Sequence, residues 1–93
     1  MVFEDPLELI RSPHVDAVYI ATPPSSHLAL AQQVAAAGKP CCVEKPIALT
    51  HADALSMVDA FRAASQPLFV SYYRRSLPRF NQVKQWIADG TIG

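Results

Sequence analysis

Asp16-Ala17-Val18-Tyr19-Ile20-Ala21-Thr22, followed at once by Pro23-Pro24, is the stretch on which the fold turns. It is almost wholly apolar and shows no alternation of polar and apolar positions. A strand that is covered on both faces reads this way, and such strands belong to parallel sheets. The two prolines stop it, because neither can continue a ladder.

Working outward, the same unit recurs. Downstream, Ser25 or Ser26 is expected to cap a helix running through Ala37, with His27, Leu30, Ala31 and Val34 along one side. Gly38 follows where a left-handed helix terminus favours glycine. Pro40-Cys41-Cys42-Val43 then forms a second short strand, ended by Glu44-Lys45-Pro46. Thr50 opens the next helix with Asp53 in its first turn, where a carboxylate complements the dipole. Leu55, Met57, Val58 and Phe61 supply its inward stripe. Leu68-Phe69-Val70-Ser71-Tyr72 is a third strand, with Tyr73-Arg74-Arg75 at its end. A last helix is expected from about Pro78 to Asp89, with Phe80, Val83 and Ile87 inward and Gly90 closing it. Upstream, Asp5-Pro6-Leu7-Glu8 has the form of a capping box with proline at the first helical position, and that helix should end before Pro13. Helices alternating with strands in this way mean right-handed crossovers and a parallel α/β sheet of about three strands with helices on both faces.

Composition sets further bounds. The 93 residues hold 8 Lys+Arg and 8 Asp+Glu, a formal net charge of zero. That balance argues against a nucleic-acid partner, which would call for a basic patch. Arg74, Arg75 and Arg79 are too few to make one. No apolar run approaches the roughly 20 residues of a membrane span, and the first ten residues lack the basic start and apolar core of a signal peptide. Cytoplasm is the default expectation. The adjacent Cys41 and Cys42 offer no metal or disulfide framework and are expected to be buried core thiols.

In open parallel sheets, ligands bind outside the carboxyl ends of the strands. All three strands here end in polar clusters: Thr22-Pro23, Glu44-Lys45-Pro46 and Tyr73-Arg74-Arg75. The opposite ends carry only turn chemistry, as in Gly38-Lys39-Pro40 and Ser65-Gln66-Pro67. One rim of the sheet should therefore hold the site.

These residues, in this order, are also familiar. Asp16 to Pro23 with His27, then Ala37-Gly38-Lys39-Pro40, Glu44-Lys45-Pro46, Arg74-Arg75 with Pro78, and the closing Ile87-Ala88-Asp89-Gly90-Thr91-Ile92-Gly93 resemble the glucose–fructose oxidoreductase, inositol dehydrogenase and MocA family. The resemblance runs from about residue 5 to residue 93. It implies the second half of a Rossmann-type dinucleotide-binding domain, lacking the first βαβ unit and the substrate domain. It further implies an NAD- or NADP-dependent oxidoreductase acting on a hydroxyl or carbonyl of a sugar-like or small cyclic substrate. Thr22 and Pro23 would border the coenzyme, with His27, Pro46 and Arg74 near it. Glu44 would bond the nicotinamide ribose. Lys45 would be the catalytic residue, holding and polarising the substrate oxygen, and Pro46 would fix the local turn, a cis peptide being one way to aim the lysine.

Two departures qualify the family pattern. Pro24 stands where asparagine commonly follows Thr-Pro. The pyrophosphate loop Gly-x-Gly-x-x-Gly is absent: Gly38, Gly90 and Gly93 are the only glycines, each near a helix end or the terminus. Catalysis by these residues alone is not expected. In the family's strand order 3-2-1-4-5-6 the strand at Ala17–Thr22 would lie next to the first strand. Without that neighbour it is an open edge suited to pairing with another chain, which makes a homo-oligomer or a non-catalytic pairing module the alternative reading.

Overall fold

The computed structural model describes residues 1–93. Its elements follow the expected order. Helix α1 (Pro6–Arg11) precedes strand β1 (Val18–Ile20), helix α2 (His27–Ala36), strand β2 (Cys41–Val43), helix α3 (His51–Ala63), strand β3 (Leu68–Val70) and helix α4 (Pro78–Ala88). Short 3-10 turns at Pro24–Ser26 and Tyr73–Ser76 lead into α2 and α4. The strands form one parallel sheet in the order β1-β2-β3, with Tyr19 level with Cys42 and Cys42 level with Phe69. This is a partial Rossmann-like α/β fold, three parallel strands flanked by helices.

The local signals mostly act as their chemistry dictates. The Asp5 carboxylate accepts the Leu7 N–H at 2.8 Å and Thr50 Oγ1 accepts the Asp53 N–H at 3.1 Å, each satisfying an orphan donor of a first turn. Beyond α2, the Gly38 N–H reaches the Ala35 carbonyl and the Lys39 N–H reaches Val34. That is the paired closure of a Schellman motif, with Gly38 at φ 69° in the left-handed conformation the motif requires. The end of α3 repeats the pattern, Ser65 to Arg62 and Gln66 to Phe61, but with a non-glycine, Ser65, at φ 52°. Ser26 departs from expectation. Its hydroxyl makes no cap and turns back to Thr22 Oγ1 at 2.7 Å and the Pro23 carbonyl at 2.9 Å, because the 3-10 turn has already carried the chain round.

Helical cover on the two faces of the sheet is very unequal. Side chains of Val18, Ile20, Cys41 and Val43 are buried on one face, in a core with Ala31 and Val34 of α2 and Met57 and Phe61 of α3. Successive strand residues point to opposite faces, so Tyr19, Cys42 and Phe69 occupy the other, where Tyr19 is 54% and Phe69 60% exposed. For the same reason the two cysteines differ: Cys41 is buried, whereas Cys42 is half-buried rather than a core thiol. In α3, Leu55 lies half exposed, outside the stripe it was assigned to, and Val58 sits at its margin.

Helix α4 does not turn its apolar stripe inward. Phe80, Val83 and Ile87 are all exposed and the helix has no buried residue. It packs on the preceding 3-10 turn, not on the sheet. The outline is accordingly long, 52 × 31 × 25 Å, with a radius of gyration of 16.4 Å against the roughly 12 Å of a compact chain of this length. No helix is long and apolar enough to cross a membrane.

Candidate active site

The carboxyl ends of the three strands meet on one rim, as parallel pairing requires. Glu44 lies two residues beyond Cys42 and Ser71 two beyond Phe69, so both share the open face with Tyr19. The Tyr19 hydroxyl donates to Glu44 Oε1 and also approaches Ser71 Oγ at 3.4 Å. The other carboxylate oxygen, Oε2, accepts the Lys45 backbone N–H at 3.0 Å. Glu44 is thereby bonded directly to β1, and the Tyr19 hydroxyl links it onward to Ser71 after β3. The Tyr19 hydroxyl, and after it the Lys45 N–H, hold the Glu44 carboxyl below its ordinary range, and the adjacent Glu44 raises the Tyr19 phenol. A hydrogen bond to the charged form of an acid has this sign. Each carboxylate oxygen offers two acceptor positions, so Glu44 retains capacity for further donors.

Lys45 stands beside an open cavity of about 430 Å³ whose other walls are Ser71, Tyr72, Tyr73, Arg74 and Arg75. The volume lies within the usual range of small-ligand sites. The lining combines three cationic side chains with two aromatic ones and no carboxylate. The Lys45–Pro46 peptide is cis, one of the geometries anticipated for this turn.

His27 is fully buried. Its Nε2 lies 2.9 Å from the Thr22 carbonyl and its Nδ1 3.0 Å from the Pro46 carbonyl. Both partners are acceptors, so a neutral ring can satisfy one and a protonated ring both. The ring therefore has no surface to offer a ligand. It joins the end of β1 to the loop after β2, and its relation to the rim is that of a clasp. Thr22 and Pro23 are exposed on the rim. Thr22 does not line the Lys45 cavity and instead borders a separate apolar groove along the open edge of β1, with Leu9, Val18 and Leu30.

The sequence brought Glu44, Lys45 and Arg74 to one place, and the structure does the same. It missed Tyr19 and Ser71. Their signal was available only through register: a tyrosine in β1 and a serine after β3, on the face that also carries Glu44.

A three-stranded parallel sheet with a polar rim at its carboxyl ends belongs to the Rossmann-like class of α/β proteins, in which ligands bind at that rim. Residues 1–72 match the family model described as an oxidoreductase family with an NAD-binding Rossmann fold, GFO_IDH_MocA, and the chain belongs to that family. It is 41% identical over 90 residues to inositol 2-dehydrogenase 1 of Saccharopolyspora erythraea, covering 96% of this chain and 27% of that protein. It is 39% identical over 85 residues to oxidoreductase P35 of Formosa agariphila, covering 91% of this chain and 26% of the relative. Among solved structures, it superposes on the WlbA dehydrogenase of Bordetella pertussis, crystallised with NADH and UDP-GlcNAcA, with a TM-score of 0.89 and 33% identity over 98% of this chain and 26% of that one. The chain thus spans about a quarter of the length of the curated relatives it matches.

Proposed function

We propose that residues 1–93 are the C-terminal half of a dinucleotide-binding domain in an oxidoreductase that moves hydride between NAD or NADP and a hydroxyl or carbonyl of a sugar-like substrate. The observation that carries this reading is the placement of Glu44 and Lys45: a carboxylate at the end of β2, bonded across to β1, next to a lysine at the mouth of a ligand-sized cavity. Inositol dehydrogenases among the relatives support the substrate class.

The residues fit the nicotinamide end of such a coenzyme. An ionised Glu44 with free acceptor positions suits a pair of ribose hydroxyls. Thr22 and Pro23 flank it on the rim, Pro46 shapes the turn, and Arg74 with the tyrosines walls the cavity. His27 serves this end indirectly, by holding the Thr22 and Pro46 carbonyls. When bound, the coenzyme supplies or accepts the hydride. Lys45 Nζ acts on the substrate oxygen, donating a hydrogen bond to a carbonyl that is being reduced and orienting a hydroxyl that is being oxidised. Cradling the pyrophosphate falls to residues other than these, since no Gly-x-Gly-x-x-Gly occurs here.

One observation favours a second reading. In a parallel ladder alternate residues direct both backbone groups to the same side. Val18 and Ile20 engage β2, so Tyr19 turns its N–H and C=O to the open edge, beside the apolar groove. A pairing module that docks another strand there, including that of a second copy, uses this edge. The deciding experiment monitors nicotinamide absorbance with the full-length protein and a panel of polyols and sugars. Turnover with a member of the panel supports the oxidoreductase. Binding of neither NAD(H) nor NADP(H), together with self-association through β1, establishes the pairing module instead.

A further inference from the structure

We infer that Tyr19 is the positioning residue for the Glu44 carboxylate, aiming it from the neighbouring strand toward the cavity mouth. The inference rests on the reading of Glu44 as the ribose-binding group and names a residue that the Glu-Lys-Pro motif does not contain.

The geometry follows from register. Tyr19 is level with Cys42 in β2, and Glu44 is two residues further along the same face, a rise of about 6.6 Å. A tyrosine leaning along the strand spans that distance, which is the diagonal cross-strand relation open to long aromatic side chains. Ser71 comes from the third strand, again two residues beyond the level position, since Cys42 pairs with Phe69. The phenol thus sits between the ends of β2 and β3, with its hydroxyl bonded to Glu44 and near Ser71. A shorter or apolar side chain at position 19 leaves Glu44 with the Lys45 N–H alone, and that contact fixes one oxygen but not the rotation of the carboxylate about it. Among these residues the side-chain hydrogen-bond contacts of the Tyr19 hydroxyl are those with Glu44 and Ser71.

The test is Tyr19→Phe in the full-length protein, which keeps the ring and removes only the hydroxyl. Carboxyl 13C NMR follows Glu44 without coenzyme, and steady-state kinetics follow its use. Expected are an upward move of the Glu44 titration, about a tenfold rise in the coenzyme KM from the lost charged hydrogen bond, and kcat within about twofold, because Lys45 is untouched. Ser71→Ala, at the longer contact, should move the Glu44 titration upward by less, and that titration covers the case in which Tyr19→Phe fails to fold. An unchanged Glu44 titration in a folded Tyr19→Phe protein overturns the inference. If the titration moves while the coenzyme KM does not, Tyr19 still positions Glu44, and it is the assignment of Glu44 to the ribose that fails.

Discussion

Replacing His27 with phenylalanine keeps most of the ring's volume and removes its hydrogen bonding to the two carbonyls it lies between. In the native fold the ring is fully buried and bridges the Thr22 and Pro46 carbonyls at 2.9 and 3.0 Å. Thr22 and Pro46 are themselves exposed, so water can reach part of what the ring releases. The loss is then taken at the ordinary value of about 1 kcal/mol per bond, not at the full cost of a buried orphan. Phenylalanine should cost about 1 kcal/mol relative to a neutral ring, which donates to one carbonyl, and about 2 kcal/mol relative to a protonated ring, which donates to both. Alanine adds a cavity next to Ala31 and should cost about 3–4 kcal/mol. Urea denaturation followed by far-UV circular dichroism measures both, an unchanged slope showing that the midpoint shift is one of stability. Because the same bonds hold two rim segments, His27→Phe should also raise the coenzyme KM. A loss below about 0.5 kcal/mol for His27→Phe, at constant slope, would refute the clasp.

Other outcomes follow from single positions. Ser65→Gly should stabilise by about 0.5–1 kcal/mol in thermal or urea melts, since Ser65 sits at φ 52°, where glycine avoids the left-handed cost but loses some in chain entropy; a loss of stability would show that the serine side chain has a partner. Under native conditions a maleimide should label Cys42 well before Cys41, which is buried with its thiol pushed up to about 11. The Cys41 shift also fixes a sign: the thiol stays protonated in the fold but ionises in the unfolded chain from about pH 9, so stability should fall between about pH 9 and 11. Cys41→Ala should flatten that decline, and an equally steep decline in the variant would mean that another group is responsible.

Much of the fold was legible because its determinants are local. The caps at Asp5 and Thr50, the stop at Pro23-Pro24 and the glycine after α2 each act within a few residues, and apolar runs broken by helical segments leave little choice but a parallel sheet. The rim was legible at one remove: once the strands are parallel, Thr22, Glu44 and Tyr73 must lie at the same end. What escaped depends on what faces what. Periodicity shows that α4 has an apolar stripe of Phe80, Val83 and Ile87, but not what lies opposite, and none of residues 1–93 buries it. Composition likewise makes Cys41 and Cys42 equivalent, while the unequal cover of the two faces separates them. The Tyr19–Glu44–Ser71 cluster needs the register of three strands, and His27 needs the return of the chain at Pro46. Neither is written in spacing along the sequence.

The central claim concerns Lys45, the residue proposed to act on the substrate oxygen. Lys45→Met in the full-length protein keeps a long unbranched side chain at the cavity and removes its donors. Coenzyme affinity by fluorescence titration and hydride transfer by nicotinamide absorbance should then separate. The account predicts coenzyme affinity within about threefold of the native protein and turnover reduced by at least about a thousandfold, the scale of a positioned proton-transfer group together with an electrostatic one. Turnover retained in Lys45→Met would contradict it.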